Sequence, residues 1–270
     1  IWREARPGND TIVETYLADA RRIDIDAIGG VPTTLRFHPE LKTGRDNGDA
    51  VVPGMVAPIQ DMAGRLIGIH RTFLKPDGSG KAEIALPAPH RFDAKRTLGS
   101  VWGGAIRLCP LTGDTLGLGE GIETSLTVLC DLARQCLKTG RRPMPVWCGI
   151  NLGNLAGAGD SNARRRAPKH PAKVRGDPET GEVLPLSLPT EIPDMDRPGL
   201  ILPKQVRRLY HLVDADSDPF ITRALMERAT RRRQAEGVEV FNVWPPAGFD
   251  FNDLKMRGAA SEAKGPHGEP

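Results

Sequence analysis

Thr115-Leu116-Gly117-Leu118-Gly119-Glu120-Gly121-Ile122-Glu123-Thr124 is the stretch on which the reading of the whole chain turns. It opens as a short apolar strand over 115–118, and Glu120-Gly121-Ile122 breaks it. A helix pattern then runs from Glu123 to Lys138, with Thr124, Leu126, Val128, Leu129, Leu132 and Ala133 near helical spacing. The same grammar repeats downstream. Pro145-Val146-Trp147-Cys148 reads as a second strand and Arg208-Leu209-Tyr210-His211-Leu212-Val213 as a third, which ends in Asp214. Phe220 to Glu236 reads as a helix and Val238-Glu239-Val240-Phe241 as a fourth strand. Strand and helix in alternation imply βαβ units, hence an α/β fold with a mainly parallel four-stranded sheet and flanking helices.

Upstream, the pattern is different. Asp10 is placed to cap a helix over Thr11–Arg22, with Ile12, Val13, Tyr16, Leu17 and Ala20 on one face. Residues 29–50 turn often, through Gly29-Gly30-Val31-Pro32 and Gly44-Arg45-Asp46-Asn47-Gly48. Residues 55–59 and 66–74 read as strands joined by a hairpin turn at Asp61-Met62-Ala63-Gly64. Residues 1–110 are therefore expected to form a small α+β subdomain. Residues 111–258 form the α/β domain, interrupted by a Pro-rich charged insertion at about 160–205, and 259–270 form a flexible polar tail.

Composition narrows the class. With 270 residues, 39% hydrophobic and 26% charged, the chain supports one large core or two small ones and excludes fibrous and wholly disordered classes. No run approaches the roughly 20 apolar residues of a membrane helix. Ile1-Trp2-Arg3-Glu4 is not a signal peptide and reads as the middle of a longer protein, so the cytoplasm is the expected compartment. Cys109, Cys130, Cys136 and Cys148 contain no Cys-x-x-Cys pair, so zinc is not expected, and they read as small buried apolar residues. The net charge of +3 hides a concentration: Arg164, Arg165, Arg166, Lys169, Lys173 and Arg175 face only Asp160 within 160–175. That stretch fits either a polyanion contact or a solvated linker held open by its own repulsion.

The chemistry is expected where strands of a parallel sheet end. Glu120 follows one such strand, and Asp214-Ala215-Asp216-Ser217-Asp218 follows another. Alternate residues of extended chain project to one side, so these carboxylates can converge, and converging negative charges call for a cation. Oxygen donors without nearby His or Cys suit Mg²⁺. Asp218 fits a second reading as well, the cap of a helix that Pro219 starts. Other motifs fail on residues. A calcium hand would need Gly and Glu where Pro219 and Leu225 stand. An aspartyl phosphatase would want Thr or Val in place of Asp218, and the phosphate-loop hint at Gly78-Ser79-Gly80-Lys81 ends in Ala82.

Together, Glu120-Gly121 opening a helix and Asp214-x-Asp216-x-Asp218 after a later strand resemble the Toprim domain, shared by DnaG-type bacterial primases, type IA and II topoisomerases and some nucleases. Leu118-Gly119-Glu120-Gly121-Ile122-Glu123-Thr124 and Asp250-Phe251-Asn252-Asp253-Leu254 are similar to the primase-like Toprim proteins of phages, plasmids and integrated elements. The N-terminal half is similar to the region that precedes Toprim there, through Tyr16-Leu17, Gly68-Ile69-His70-Arg71-Thr72, Gly80-Lys81-Ala82, Leu98-Gly99-Ser100 and 103–108. The resemblance spans residues 10–255. The cysteine spacing matches no zinc-binding module of the kind that precedes a primase core, and no helicase phosphate loop is expected within 10–255.

The resemblance implies Mg²⁺-dependent phosphoryl or nucleotidyl transfer, with Mn²⁺ able to substitute. Asp214 and Asp216 would hold the ion and Asp218 add a ligand, with Glu120 as general acid/base or a further ligand. Arg71, Lys81, Lys95 and Arg96, with Arg164, Arg165, Arg166 and Lys169 of the insertion, are the candidate nucleic-acid contacts. His70, His211, Tyr16 and Tyr210 read as packed residues. Primer synthesis on single-stranded DNA from nucleotides, beside a replicative helicase, is the leading expectation; a Toprim nuclease and a non-catalytic nucleic-acid-binding module are its rivals.

Overall fold

A computed structural model describes residues 1–176 and 183–263. The N-terminal part is an antiparallel sheet in the order β1 (Arg6–Pro7), β2 (Arg36–Lys42), β3 (Val51–Gln60), β4 (Leu66–Phe73), β5 (Lys95–Gly99), and before β2 runs the short helix α1 (Ile12–Thr15). The β3–β4 turn forms as its sequence implies: Asp61 Oδ1 accepts from the amides of Ala63 and Arg65, and Gly64 supplies the positive φ of 77°. Both faces of β3 are covered. Met55, Ala57 and Ile59 join the main core with Val13, Tyr16 and Leu17, while Val56 packs with Leu41 and Phe73 on the far side.

Two expectations change here. Thr11, not Asp10, caps α1, accepting from the Val13 amide at 3.1 Å, and Asp10 takes a left-handed φ of 56°. The helix then widens into a π turn over Tyr16–Ala20. Residues 36–42, inside a stretch whose turns dominate the sequence pattern, form β2, with a bulge between His38 and Leu41 that accommodates Pro39.

The second sheet comprises β6 (Thr115–Gly119), β7 (Val146–Cys148), β10 (Arg208–Leu212) and β11 (Glu239–Val243), all parallel, in the order β11-β10-β6-β7. Helix α2 (Ile122–Leu137) follows β6 and buries Ile122, Leu126, Leu129, Cys130 and Ala133 as one stripe. The chain leaves β6 for β7 on one side and returns to β10 on the other. The strand order therefore reverses between β6 and β10, the place where open parallel sheets leave a crevice. Backbone bridges Gln60–Ala105 and Ile106–Cys148 connect the two sheets.

Between β7 and β10 lie α3 (Leu152–Ala156), α4 (Ser161–Arg164) and an antiparallel hairpin of β8 (Lys169–Gly176) and β9 (Val183–Ser187). The insertion is thus not a bare loop. It is held by α5 (Pro219–Ala235), which leads into β11; α6 (Phe251–Ala263) closes the described chain. Residues 259–263, expected in a flexible tail, continue α6, and the rest of that tail lies outside the described residues.

Three arginines of α5 face inward. Arg228 donates to the carbonyls of Thr190 and Gly157, Arg232 to those of Ala156, Ala158 and Asp194, and Arg233 to that of Leu200 while pairing with Glu236. Arg232 is fully buried; its guanidinium supplies the donor to the Ala156 carbonyl and a second donor to those of Ala158 and Asp194, which also accept the Asp194 and Arg197 amides. Arg232→Leu is expected to cost about 3 kcal/mol or more, because one buried and two part-buried carbonyls lose a charged donor. Chemical denaturation of the two proteins measures this, and a change within about 0.5 kcal/mol, as for an ordinary surface site, would contradict it.

Candidate active site

Glu120 and Asp214 stand just past the ends of the adjacent strands β6 and β10, at the crevice. Both are only partly exposed, and Asp216 is exposed beside them. The loop after β10 is fixed by the bonds Ala215 N to Phe249 O and Gly248 N to Ala215 O, which bring Asp250 toward the same place. Thr124, in the first turn of α2, donates its hydroxyl to Asp214 Oδ1 at 2.9 Å.

The electrostatics of this group follow from burial and like charge. Burial pushes Asp214 up to about 7, with further repulsion from Glu120, Asp250 and Asp216 against the pull of the Thr124 hydroxyl. Burial likewise raises Glu120; Asp216 adds to the rise, while the Leu152 amide and Lys95 oppose it. Burial also raises Asp250, against the Asp253 amide. Glu120 Oε2 is buried without a hydrogen-bond partner.

Opposite these acids sits a buried ion-pair cluster. Glu123, 2% exposed, accepts from the Tyr16 hydroxyl at 2.7 Å, from Lys81 Nζ at 3.2 Å and from Lys95 Nζ at 2.9 Å. Burial alone would raise the Glu123 carboxyl, but Lys95, Lys81, Arg21 and the Tyr16 hydroxyl outweigh it and hold it well below the usual range. The two groups meet at Gly121: a Cβ there would lie 3.8 Å from Glu123 Oε2, 3.9 Å from Asp214 Oδ2 and 4.0 Å from Lys95 Nζ. Lys95 is thus the lysine that lies beside the acids and acts on Glu120, while Arg21 acts on Asp250.

The structure brings some sequence-selected residues together and sets others apart. Glu120, Asp214, Asp216 and Lys95 come together here, and Lys81 joins Lys95 on Glu123. Asp218 does not face it free: its carboxylate caps α5 through the Phe220 and Ile221 amides and binds Lys173 at 2.6 Å and His170 at 3.0 Å. Lys173, the Ile221 amide and His170 hold Asp218 well below the ordinary carboxylate range. Arg71 donates to the Lys42 carbonyl and lies over Phe73, and Arg96 pairs with Asp46. These two are cross-strand partners on β4 and β5, so they project from the face opposite Lys95. Arg164, Arg165, Arg166 and Lys169 are exposed on the insertion. His70 and His211 are buried, and burial pushes each down to about 4, so both are neutral packing residues at pH 7. All four cysteines are free.

Glu123 and Asp250 are the site residues that the sequence reading left without a role. A polar residue on the apolar stripe of α2 was the available signal for Glu123; Asp250 had only the short Asp-Phe-Asn-Asp-Leu pattern.

Among the described residues, no three His, Cys, Asp or Glu side chains form a ready metal cage. The donors nevertheless fit a hard cation in kind: Mg²⁺ retains several waters and needs only one or two carboxylates, and an unpartnered buried carboxylate oxygen beside a second carboxylate supplies them.

A family model described as "Domain of unknown function (DUF7146)" matches residues 1–108. No curated protein matches the chain. Among solved structures, the chain is similar to the Aquifex aeolicus primase (zinc binding and RNA polymerase domains), at 15% identity and a TM-score of 0.47, over 95% of this chain and 55% of that one. It is similar to the primase fragment of the bacteriophage T7 primase-helicase protein at 15% identity and a TM-score of 0.40, over 85% and 65%. A DNA primase domain from Pseudomonas aeruginosa gives 13% identity and a TM-score of 0.38, over 85% and 64%. The chain thus spans between about half and two-thirds of the length of each.

The raised Asp214 has a consequence for stability. An acid whose folded pKa exceeds its unfolded value of about 3.9 enters the folded state protonated. Its contribution is full below that value and is lost as pH rises through about 7. In chelator-treated protein, the unfolding free energy of the parent should therefore fall between pH 5 and pH 8 relative to Asp214→Asn. Denaturant titrations across that range test this; two parallel profiles would contradict the burial of Asp214.

Proposed function

We propose that this chain carries out Mg²⁺-dependent nucleotidyl transfer on nucleic acid, as the primase-like part of a replication protein of a mobile element. In this reading residues 111–258 are a Toprim-type domain and residues 1–110 the subdomain that brings substrate to it. The observation that carries the reading is the pairing across one crevice: Glu120 with its buried, unpartnered Oε2 and the proton-retaining Asp214 on one side, Lys81 and Lys95 on the other. Phosphoryl transfer needs little covalent help from the protein and much positioning and charge stabilisation.

Asp214 and Asp216 would hold the ion, and Glu120 would act as a further ligand or as the acid/base; Asp218, already occupied, is left out. Bound there, Mg²⁺ neutralises phosphate charge and favours the attacking form of a hydroxyl oxygen. Lys81 and Lys95 bind phosphate oxygens of the nucleotide or template from the N-terminal sheet. As base, Glu120 Oε2 takes the proton of the attacking hydroxyl; a bond forms from that oxygen to phosphorus, and the bond to the diphosphate leaving group breaks. The raised pKa of Glu120 brings it nearer the operating pH, where a general base works best. Single-stranded DNA, nucleotides and a replicative helicase are the proposed partners. No described helix is long and apolar enough to cross a membrane.

Incubation with single-stranded DNA, labelled nucleotides and Mg²⁺ or Mn²⁺ tests this. Extended products are expected from the parent, with a loss of ~10²-fold or more in Glu120→Gln. A shortened template would establish a nuclease instead, and a bound but unchanged template a non-catalytic module.

A further inference from the structure

Two side chains of β8, the buried His170 and the exposed Lys173, tie the basic hairpin β8–β9 to Asp218 in the loop after β10. His170 is 7% exposed, although Lys169, Pro171 and Ala172 around it are exposed. Its Nδ1 accepts from the backbone amides of Ala172 at 3.0 Å and Lys173 at 2.8 Å. A ring nitrogen that accepts carries no proton, so the proton of the neutral ring sits on Nε2. Nε2 lies 3.0 and 3.2 Å from the two carboxylate oxygens of Asp218 and donates to them. The ring also meets Phe220 edge-on, with centroids 5.2 Å apart. One imidazole thus closes the turn inside β8 and fastens β8 to the first turn of α5, four residues from Asp214.

A two-stranded ribbon is marginal by itself, and Lys169 and Arg164 to Arg166 are exposed at its base. A loose arm carrying the same charge would lose conformational freedom on every binding event, whereas an anchored arm has lost it in advance. We propose that His170 is a positioning residue that locks the basic hairpin to the acid loop, so that a nucleic-acid strand lying along Arg164, Arg165, Arg166 and Lys169 reaches the crevice in one register. The proposal rests on the nucleic-acid reading above. It separates two quantities: the charges set the salt dependence of binding, and the lock sets the affinity at a given salt.

His170→Asn removes the buried half of this tie and leaves the exposed Lys173–Asp218 pair in place. The Asn oxygen replaces Nδ1 and accepts from the amides two and three residues on, as Asn does in turns, but the side chain is too short to reach Asp218. Hydrogen exchange should accelerate about tenfold or more in residues 169–176 and 183–187, with β10, α5 and the melting temperature unchanged. Binding of a fluorescein-labelled oligothymidylate should weaken roughly three- to tenfold, while the slope of log K against log salt stays the same. Unchanged exchange in the hairpin would show that the Lys173–Asp218 pair alone holds it and would overturn the lock assigned to His170. Faster exchange with unchanged affinity would overturn its positioning role, and so would a smaller salt slope, which would mean that His170 acts through charge. A parent protein that does not bind the oligothymidylate at low salt would remove the nucleic-acid reading and the positioning role together, and the exchange data would still decide whether the lock exists.

Discussion

The crevice depends on the burial of one carboxylate. Glu123 sits in the first turn of α2, almost wholly out of water, and is tolerated there because Tyr16, Lys81 and Lys95 all donate to it. A buried carboxylate without such donors would be costly, and so would two ammonium groups crowded together without it. The three donors come from the π turn after α1, from the turn after β4 and from β5. Satisfying Glu123 therefore holds the N-terminal sheet over the end of the parallel sheet, where Glu120 and Asp214 emerge.

The two walls of the crevice are in opposite electrostatic states. On the lysine side, two ammonium groups share one carboxylate, which leaves a net positive charge, and the Glu123 carboxyl is held ionised. On the acid side, like charges are crowded and partly buried, and Asp214 retains its proton up to about 7. Such a pairing favours a ligand that brings a cation to the acids and phosphates to the lysines, as a metal-bound nucleotide does. Thr124 and the 248–249 backbone hold the acid loop in place; Lys95 is the link between the two walls.

What the sequence made legible was local. The parallel sheet followed from the alternation of elements, and the acids could be placed because Glu120 and Asp214 each sit where a strand pattern breaks. Asp218 as a helix cap was readable from Pro219, but its contact with His170, 48 positions away, was not. Glu123 falls on the apolar stripe of α2, yet its burial depends on Tyr16, 107 positions away. Arg232 and Arg233 lie in Thr230-Arg231-Arg232-Arg233-Gln234, which looks like a solvated helix face; they are buried because the irregular backbone of the insertion offers them carbonyls. Lys95 and Arg96 are neighbours in sequence, and the period of two along β5 sends only Lys95 to the site.

The central claim is that the Glu120–Asp214 crevice binds a divalent cation against retained protons. Calorimetric titration of Mg²⁺ into the protein at pH 7, in two buffers of different ionisation enthalpy, tests it most directly. Metal binding to a carboxylate that holds its proton must release that proton, so the account predicts net proton release by the parent, and loss of both the binding heat and the release in Asp214→Asn with Asp216→Asn. Equal binding heats in parent and double variant, or binding without proton release, would contradict it.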